Sequence, residues 1–246
     1  MLFYILLFTF FGSIVSLVGG IILLFKEKFT LKVSHFLASF AAGTLLGAAF
    51  FDLLPEASEE AGGLNIPFWT LIGILSFFLL ERFIHWFHHH HSHSSEIAKP
   101  TVSLIILGDS VHNLIDGVAI AATFLVSIPL GITTSFAVAA HEIPQEIGDF
   151  GILMHKGLSR KKILMANILS AAAAFIGAIA TFLLGDVIKG ALPALLSLTA
   201  GFFIYIAASD LIPEIHEENR KGFAFIESML LLLGVGTIWV FVSLLE

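Results

Sequence analysis

Two short stretches of the chain carry histidine, carboxylate and amide side chains in otherwise apolar surroundings. They are HNLIDG at residues 112–117 and HEIPQE at residues 141–146. Each histidine lies about a dozen residues into a segment long enough to cross a bilayer, which predicts a position near the midplane at about 1.5 Å per helical residue. A charged group at that depth costs about 2.5–3.5 kcal/mol on insertion scales. A bound cation is the simplest physical reason for placing several there.

The spacing of these polar residues decides which helix faces they share. In the first stretch they fall at relative positions 0, +3, +4 and +7, one face of a helix: Asp109, His112, Asn113 and Asp116. In the second stretch His141 and Gln145 are four apart, as are Glu142 and Glu146, and Asp149 follows. Two antiparallel helices with these faces opposed would bring their donors together. The residues predicted at that point are His112, Asp116, His141 and Gln145, with Asn113, Glu142 and Glu146 alongside.

The donor types restrict the choice of cation. Imidazole with carboxylate suits Zn²⁺, Fe²⁺, Mn²⁺ or similar ions, whereas Mg²⁺ and Ca²⁺ prefer all-oxygen ligands. The chain has no cysteine, so a thiolate site is excluded. Two adjacent metal positions sharing Asp116 are also conceivable. The alternative is a hydrogen-bond network that holds helices together, but that is typical of one polar residue in a span, not of seven on two neighbouring spans.

Composition indicates the elements that must position these residues. Of 246 residues, 57% are hydrophobic and only 13% charged, with a mean hydropathy of +0.97. A soluble domain has about 25% charged residues. We therefore expect an all-α polytopic membrane protein, one transmembrane domain over residues 1–246, with the lipid bilayer and divalent metal ions as partners and no nucleic acid. Eight spans are predicted, at about 2–25, 31–54, 66–87, 101–126, 130–154, 163–185, 191–212 and 222–245.

The positive charges predict an orientation. Of the 12 Lys and Arg residues, 11 lie in or beside the connections after spans 1, 3, 5 and 7, and only Lys189 lies on the other side. By the positive-inside rule both termini face outside. A short chain without large extracellular domains suits a plasma (inner) membrane, and an organelle membrane is the alternative. The loop at 88–100 is then cytoplasmic, and it either gathers metal or is a solvated linker with incidental affinity. Its histidines are His88, His89, His90, His91 and His93.

A repeated pattern relates the two ends of the chain. Asp-Leu-x-Pro-Glu occurs from Asp52 in span 2 and from Asp210 in span 7. Because these spans are predicted to run in opposite directions, spans 1–3 and 6–8 form inverted repeats around spans 4 and 5, a 3+2+3 arrangement typical of secondary transporters. The alternative is a common pattern at helix ends.

The candidates for a cation pathway are Asp52, Asp109, Asp149, Asp210 and Glu214.

The pair HNLIDG and HEIPQEIGDF resembles the signature of the ZIP family of divalent metal transporters, and most of all its LIV-1-type branch, where the second motif runs HE-x-P-x-E-x-GDF. The resemblance implies one or two metals between spans 4 and 5, movement toward the cytoplasm by an elevator-like or rocking motion, and commonly a homodimer. The residues it implies for the main site are His112, Asp116, His141 and Gln145, and those for a second site are Asn113, Asp116 and Glu142.

Gln145 departs from the family pattern, and His141 bears on which metal the site prefers. Gln145 stands where many relatives have histidine or glutamate. His141 favours zinc, because relatives that prefer manganese or iron often have glutamate at that position, and Fe²⁺, Mn²⁺ and Cd²⁺ are the other candidate ions. We expect a zinc-preferring transporter and not an enzyme. The alternatives are an intramembrane metallohydrolase, although HEIPQ lacks the second histidine of H-E-x-x-H, and a metal sensor that uses the histidine-rich loop.

Overall fold

A computed structural model describes residues 1–86, 102–155, 157–216 and 223–245, and every described span is helical. The loop histidines predicted to gather metal, His88 to His93, lie outside the described residues. So does the side chain of Glu214, although its backbone belongs to a short helix, Ile212–His216.

The first two spans are joined without a loop. Span 1 comprises α1 (Leu2–Thr9), a π-helical turn Phe10–Ile14 and the beginning of α2 (Leu17–Ala48). Lys26 interrupts α2 with non-helical dihedral angles (φ −135°, ψ 49°), and the rest of α2 belongs to span 2. Span 2 continues through the π-helical turn Ala49–Leu53 into α3 (Leu54–Glu59), beyond the residue 54 at which the sequence predicted its end.

The other spans follow in chain order. They are α4 (Ile66–Trp86, span 3), α5 (Val102–Val126, span 4), α6 (Ile128–His155, span 5), α7 (Arg160–Leu183, span 6), α9 (Leu192–Tyr205, span 7) and α11 (Phe223–Leu245, span 8). Spans 6 and 7 are connected by α8 (Gly185–Ile188) and a 3₁₀ turn, Lys189–Ala191. Span 7 ends in a π-helical turn, Ile206–Leu211, followed by α10 (Ile212–His216).

Seven of the described helices are long and apolar enough to cross a membrane. Span 5 is not among them, because its own carboxylates and histidine lower its hydropathy. The predicted class, an all-α polytopic membrane protein, is confirmed.

Close backbone contacts pair the spans in parallel. A Cβ on Gly117 of span 4 would overlap the backbone of Ala174 in span 6, and one on Gly73 of span 3 would overlap the carbonyl of Leu198 in span 7. Glycines make similar approaches between spans 2 and 8 and between spans 1 and 5. Two bundles result: spans 1, 4, 5 and 6 form the site bundle, and spans 2, 3, 7 and 8 form the second bundle.

This pairing follows the symmetry of the predicted inverted repeat. In an inverted repeat, span 1 corresponds to span 6, span 2 to span 7, span 3 to span 8, and span 4 to span 5. The contact between spans 2 and 8 then corresponds to the contact between spans 7 and 3. The contact between spans 1 and 5 likewise corresponds to that between spans 6 and 4. In addition, each copy of Asp-Leu-x-Pro-Glu begins inside a π-helical turn. The proline supplies a reason: it has no N–H for the carbonyl four residues earlier, and a wider turn accommodates the gap. Both observations agree with inverted repeats around spans 4 and 5.

Candidate metal centre

Four side chains from spans 4 and 5 converge on one point inside the site bundle. They are His112, Asp116, His141 and Glu142, and one ligand atom from each lies within 4.8 Å of the others. His112 and Asp116 are one helical turn apart, so both face span 5. His141 and Glu142 are adjacent in sequence and differ by about 100° around their helix, which still keeps both within the stripe that faces span 4.

The distances between the donors suit one tetrahedral cation. His112 Nε2 lies 3.2 Å from His141 Nε2, and His141 Nε2 lies 3.3 Å from Asp116 Oδ2. His112 Nε2 is 3.5 Å from Glu142 Oε1 and 3.6 Å from Asp116 Oδ2, and the longest of these separations, from His141 Nε2 to Glu142 Oε1, is 3.9 Å. Zinc–ligand bonds of about 2.0–2.1 Å place tetrahedral ligand atoms about 3.3 Å apart. The four donors are therefore spaced as zinc ligands are.

Three carboxylate oxygens of this group are buried without hydrogen bonds among the described residues. Glu142 is 1% exposed and Asp116 is 4% exposed. Among the described residues, Asp116 Oδ2 and both carboxylate oxygens of Glu142 have no hydrogen-bond partner. Burying an uncompensated charge costs several kcal/mol. A cation between the two histidines would satisfy these oxygens.

A backbone carbonyl orients one of the histidines. His141 Nδ1 lies 3.1 Å from the carbonyl oxygen of Ala137, one turn earlier on span 5. In the tautomer with its proton on Nδ1, His141 donates this hydrogen bond and directs the lone pair of Nε2 at the other donors. Such a partner for the second ring nitrogen is the usual companion of a metal-binding histidine.

Aromatic rings from the second bundle cover the group. Phe77 of span 3 meets the His112 ring edge-on, with 5.5 Å between ring centroids. Phe203 of span 7 lies 6.0 Å from the His141 ring. Sequence analysis did not identify these residues, because a phenylalanine in an apolar span gives no signal of its own. They place the four donors at the boundary between the two bundles.

A second set of predicted residues gathers next to the first. The amide of Asn113 donates to Asp109 Oδ1 at 2.8 Å, and the hydroxyl of Ser170 in span 6 donates to the other oxygen of Asp109. Glu146 is fully buried, and Asp149 is half-buried. Ser170 is a further residue without a predicted role, since one serine among small residues is not distinctive.

The remaining predicted residues lie apart from these contacts. Gln145 is half-buried on span 5 and makes no hydrogen bond to the four donors among the described residues. Asp52 is buried in the π-helical turn of span 2, whereas Asp210 is exposed in that of span 7. Asn167 of span 6, for which no role was predicted, donates to the carbonyl of Ile163 in its own helix.

Helices that cross a membrane and a buried group of imidazoles and carboxylates define a class: an integral membrane protein with a cation-binding centre between two of its spans. The model of the ZIP zinc transporter family matches residues 1–104 and 97–241. The chain therefore belongs to the ZIP zinc transporter family, as the two motifs predicted.

Its curated relatives carry the same family name. It is 34% identical to Zinc transporter ZIP6 of Homo sapiens over 172 residues, which are 63% of this chain and 23% of the relative. Zinc transporter ZIP13 of Pongo abelii is 34% identical over 222 residues, 81% of this chain and 64% of the relative. Zinc transporter ZIP4 of Mus musculus is 39% identical over 145 residues, 58% of this chain and 22% of the relative. These are LIV-1 subfamily members, and the chain spans about a quarter of the length of ZIP6.

Proposed function

We propose that this protein is a zinc-preferring divalent metal transporter that moves its substrate into the cytoplasm through the site between spans 4 and 5. The observation that carries the proposal is the spacing of the donor atoms at 3.2–3.9 Å, together with buried carboxylate oxygens that have no hydrogen bond among the described residues. Two imidazoles and two carboxylates suit zinc, while Fe²⁺, Mn²⁺ and Cd²⁺ are the expected competitors. The names of the curated relatives support the same substrate.

The division into two bundles supports a mechanism by relative movement. All four donors belong to the site bundle, whereas Phe77 and Phe203 of the second bundle cover them. The glycine contacts that lock helices together occur within each bundle. We infer that the site bundle slides or rocks past the aromatic rings and so opens the donors to one side of the membrane at a time.

The proposed path uses the predicted orientation. With both termini outside, Asp52 lies toward the entrance of a plasma-membrane protein, while Asp109, Asp149, Asp210 and Glu214 lie toward the cytoplasmic exit. His88, His89, His90, His91 and His93 gather metal at that exit. Gln145 and Asn113 are additional ligands as the ion moves, and the working unit is a homodimer. Membership of a transporter family speaks against the metallohydrolase alternative.

Zinc flux into proteoliposomes that hold the pure protein tests this function. We expect saturable uptake that falls at least tenfold in Asp116→Ala and His141→Ala, because each change removes a ligand. Glu227→Gln is the matched control: Glu227 is another buried glutamate with no hydrogen-bond partner among the described residues, but it lies in span 8. Its uptake should equal that of the native protein. Undiminished uptake in both site variants would overturn the site assignment.

A further inference from the structure

The ring of Phe77, which covers His112, is itself enclosed by rings of span 7. Phe77 is 7% exposed, and its centroid lies 5.5 Å from that of His112 at an interplanar angle of 89°. The Tyr205 ring packs against Phe77 with 5.6 Å between centroids and an angle of 41°. Phe202, one turn earlier on span 7, lies 5.5 Å from Phe77. Phe77 can therefore swing away from His112 only if a ring of span 7 makes room for it.

The hydroxyl of Tyr205 fixes the position of its ring. It donates a hydrogen bond of 2.5 Å to a carboxylate oxygen of Glu81 in span 3. Glu81 lies four residues after Phe77, so both side chains project from the same face of that helix. The Tyr205 ring thus packs on the first of these side chains while its hydroxyl binds the second.

Holding spans 3 and 7 together does not require this hydrogen bond. One turn before Phe77 and Tyr205, a Cβ on Gly73 or on Gly201 would overlap the backbone of the opposite helix. That backbone contact already fixes the distance between the two helices. Glu81 also lies within a candidate membrane span, where a carboxylate is costly and its presence points to a function.

We infer that Tyr205 and Glu81 are positioning residues that hold Phe77 over His112, and so set how fast the four-donor site exchanges its ion. Neither residue belongs to the four donors. Losing their hydrogen bond should therefore speed the entry and the departure of the ion by the same factor and leave its equilibrium affinity unchanged. The inference rests on the proposed function, because it takes the four-donor group to be the zinc site.

The rate at which zinc leaves the pure, detergent-solubilised protein tests the inference. The protein is loaded with zinc, an excess of chelator is added, and the four-donor site is recognised as the kinetic phase that His141→Ala lacks. We expect Tyr205→Phe and Glu81→Ala each to speed this phase about tenfold, as the loss of a hydrogen bond to a charged group predicts. The double variant should release zinc no faster than either single variant, because both changes remove the same bond.

Two further variants and the affinity complete this test. Glu81→Gln keeps a hydrogen-bond acceptor and should release zinc more slowly than Glu81→Ala does. Tyr4→Phe is the matched control, since Tyr4 is the chain's other tyrosine and lies exposed on span 1. Release from Tyr205→Phe at the native rate would overturn the inference. Faster release with a correspondingly weaker zinc affinity would also overturn it, since the pair would then support the ligand geometry and not control access.

Chemical modification of the metal-free protein separates this inference from the proposed function. Diethyl pyrocarbonate reacts with accessible imidazoles, and mass spectrometry of the peptides gives the rate at His112. We expect a faster reaction in Tyr205→Phe than in the native protein and in Tyr4→Phe, and equal rates would overturn the role given to Tyr205. If no zinc phase depends on His141, the proposed zinc site fails, while faster modification of His112 would still support the cover. If Glu81→Ala does not fold, Tyr205→Phe, which loses a single oxygen atom, decides the question.

Discussion

At the scale of single residues, the centre combines ligands of different hardness. His112 and His141 contribute nitrogen, and Asp116 and Glu142 contribute oxygen. The histidines are the part of this set that distinguishes zinc from harder ions, because oxygen ligands alone suit those ions equally well or better. We therefore expect metal choice to depend on these two rings, of which the His141 ring is oriented by the carbonyl of Ala137.

Replacing that ring should change the metal preference. We expect His141→Glu to lower the ratio of zinc affinity to manganese affinity at least tenfold, since a harder oxygen ligand replaces nitrogen and the hydrogen bond to Ala137 is lost. Competition dialysis of the pure protein with both ions measures the ratio. His141→Gln keeps the site neutral at this position and separates the effect of hardness from that of charge. An unchanged ratio in His141→Glu would show that His141 does not set selectivity.

Some residues of the candidate site could be predicted from the sequence, and others could not. A histidine inside an apolar span is a strong signal, because its burial is costly without a partner, and both histidines were identified from it. Glu142 was predicted beside the main group, yet its carboxylate lies 3.5 Å from His112. Residue spacing predicts which face of a helix a side chain lies on, but not how far a long side chain such as that of Glu142 extends. Phe77 and Phe203 gave no signal, because their roles depend on which helices meet. Ser170 was recognised as a polar residue of span 6, but its contact with Asp109 was not predicted.

At the scale of the elements, small residues determine how the spans pair. Gly117 and Gly177 bring spans 4 and 6 into backbone contact, and this contact holds Ser170 against Asp109. The order and number of the helices follow from hydropathy. The pairing of the helices cannot be predicted from hydropathy, because every span has an apolar surface. A glycine in the sequence does not show which helix packs against it.

A methyl group at this contact should separate the helices. We expect Gly117→Ala to lower the free energy of unfolding by about 1–3 kcal/mol, because the added Cβ overlaps the backbone of Ala174 and overpacking carries costs of that size. Thermal unfolding in detergent measures the change. Gly236→Ala in span 8 is the matched control, since nothing lies within 4 Å of its added Cβ. Equal melting temperatures for the two variants would contradict the role given to Gly117.

At the scale of the whole molecule, the proposed transport cycle needs the two bundles to move against each other. Between them near the site lie aromatic contacts such as Phe40 in span 2 against Phe136 in span 5, with 6.3 Å between ring centroids. Ring edges of this kind can slide past one another, whereas glycine-packed backbones cannot.

A cross-link between the bundles should therefore stop transport. The chain has no cysteine, so pairs can be introduced cleanly. We expect Phe40→Cys with Phe136→Cys, joined by a short thiol-specific reagent, to lose zinc uptake in proteoliposomes and to regain it when a cleavable link is reduced. Phe36→Cys with Phe223→Cys joins spans 2 and 8 within one bundle, where the rings are 5.0 Å apart, and should leave uptake intact. Full uptake with the bundles linked would exclude relative movement.

The parallel pairing of the spans has an electrical consequence. Spans 1 and 5 run in one direction through the site bundle, and spans 4 and 6 run in the other. The helix dipoles of the first pair therefore oppose those of the second pair. The bundle as a body then carries almost no net backbone dipole across the membrane. In the proposed transport cycle, a membrane voltage would act on the movement of this bundle through its charged side chains and the bound ion. If the protein transports its substrate inward as proposed, we expect the charge state of the loaded site, and not the helix dipoles, to determine how strongly the membrane potential drives uptake.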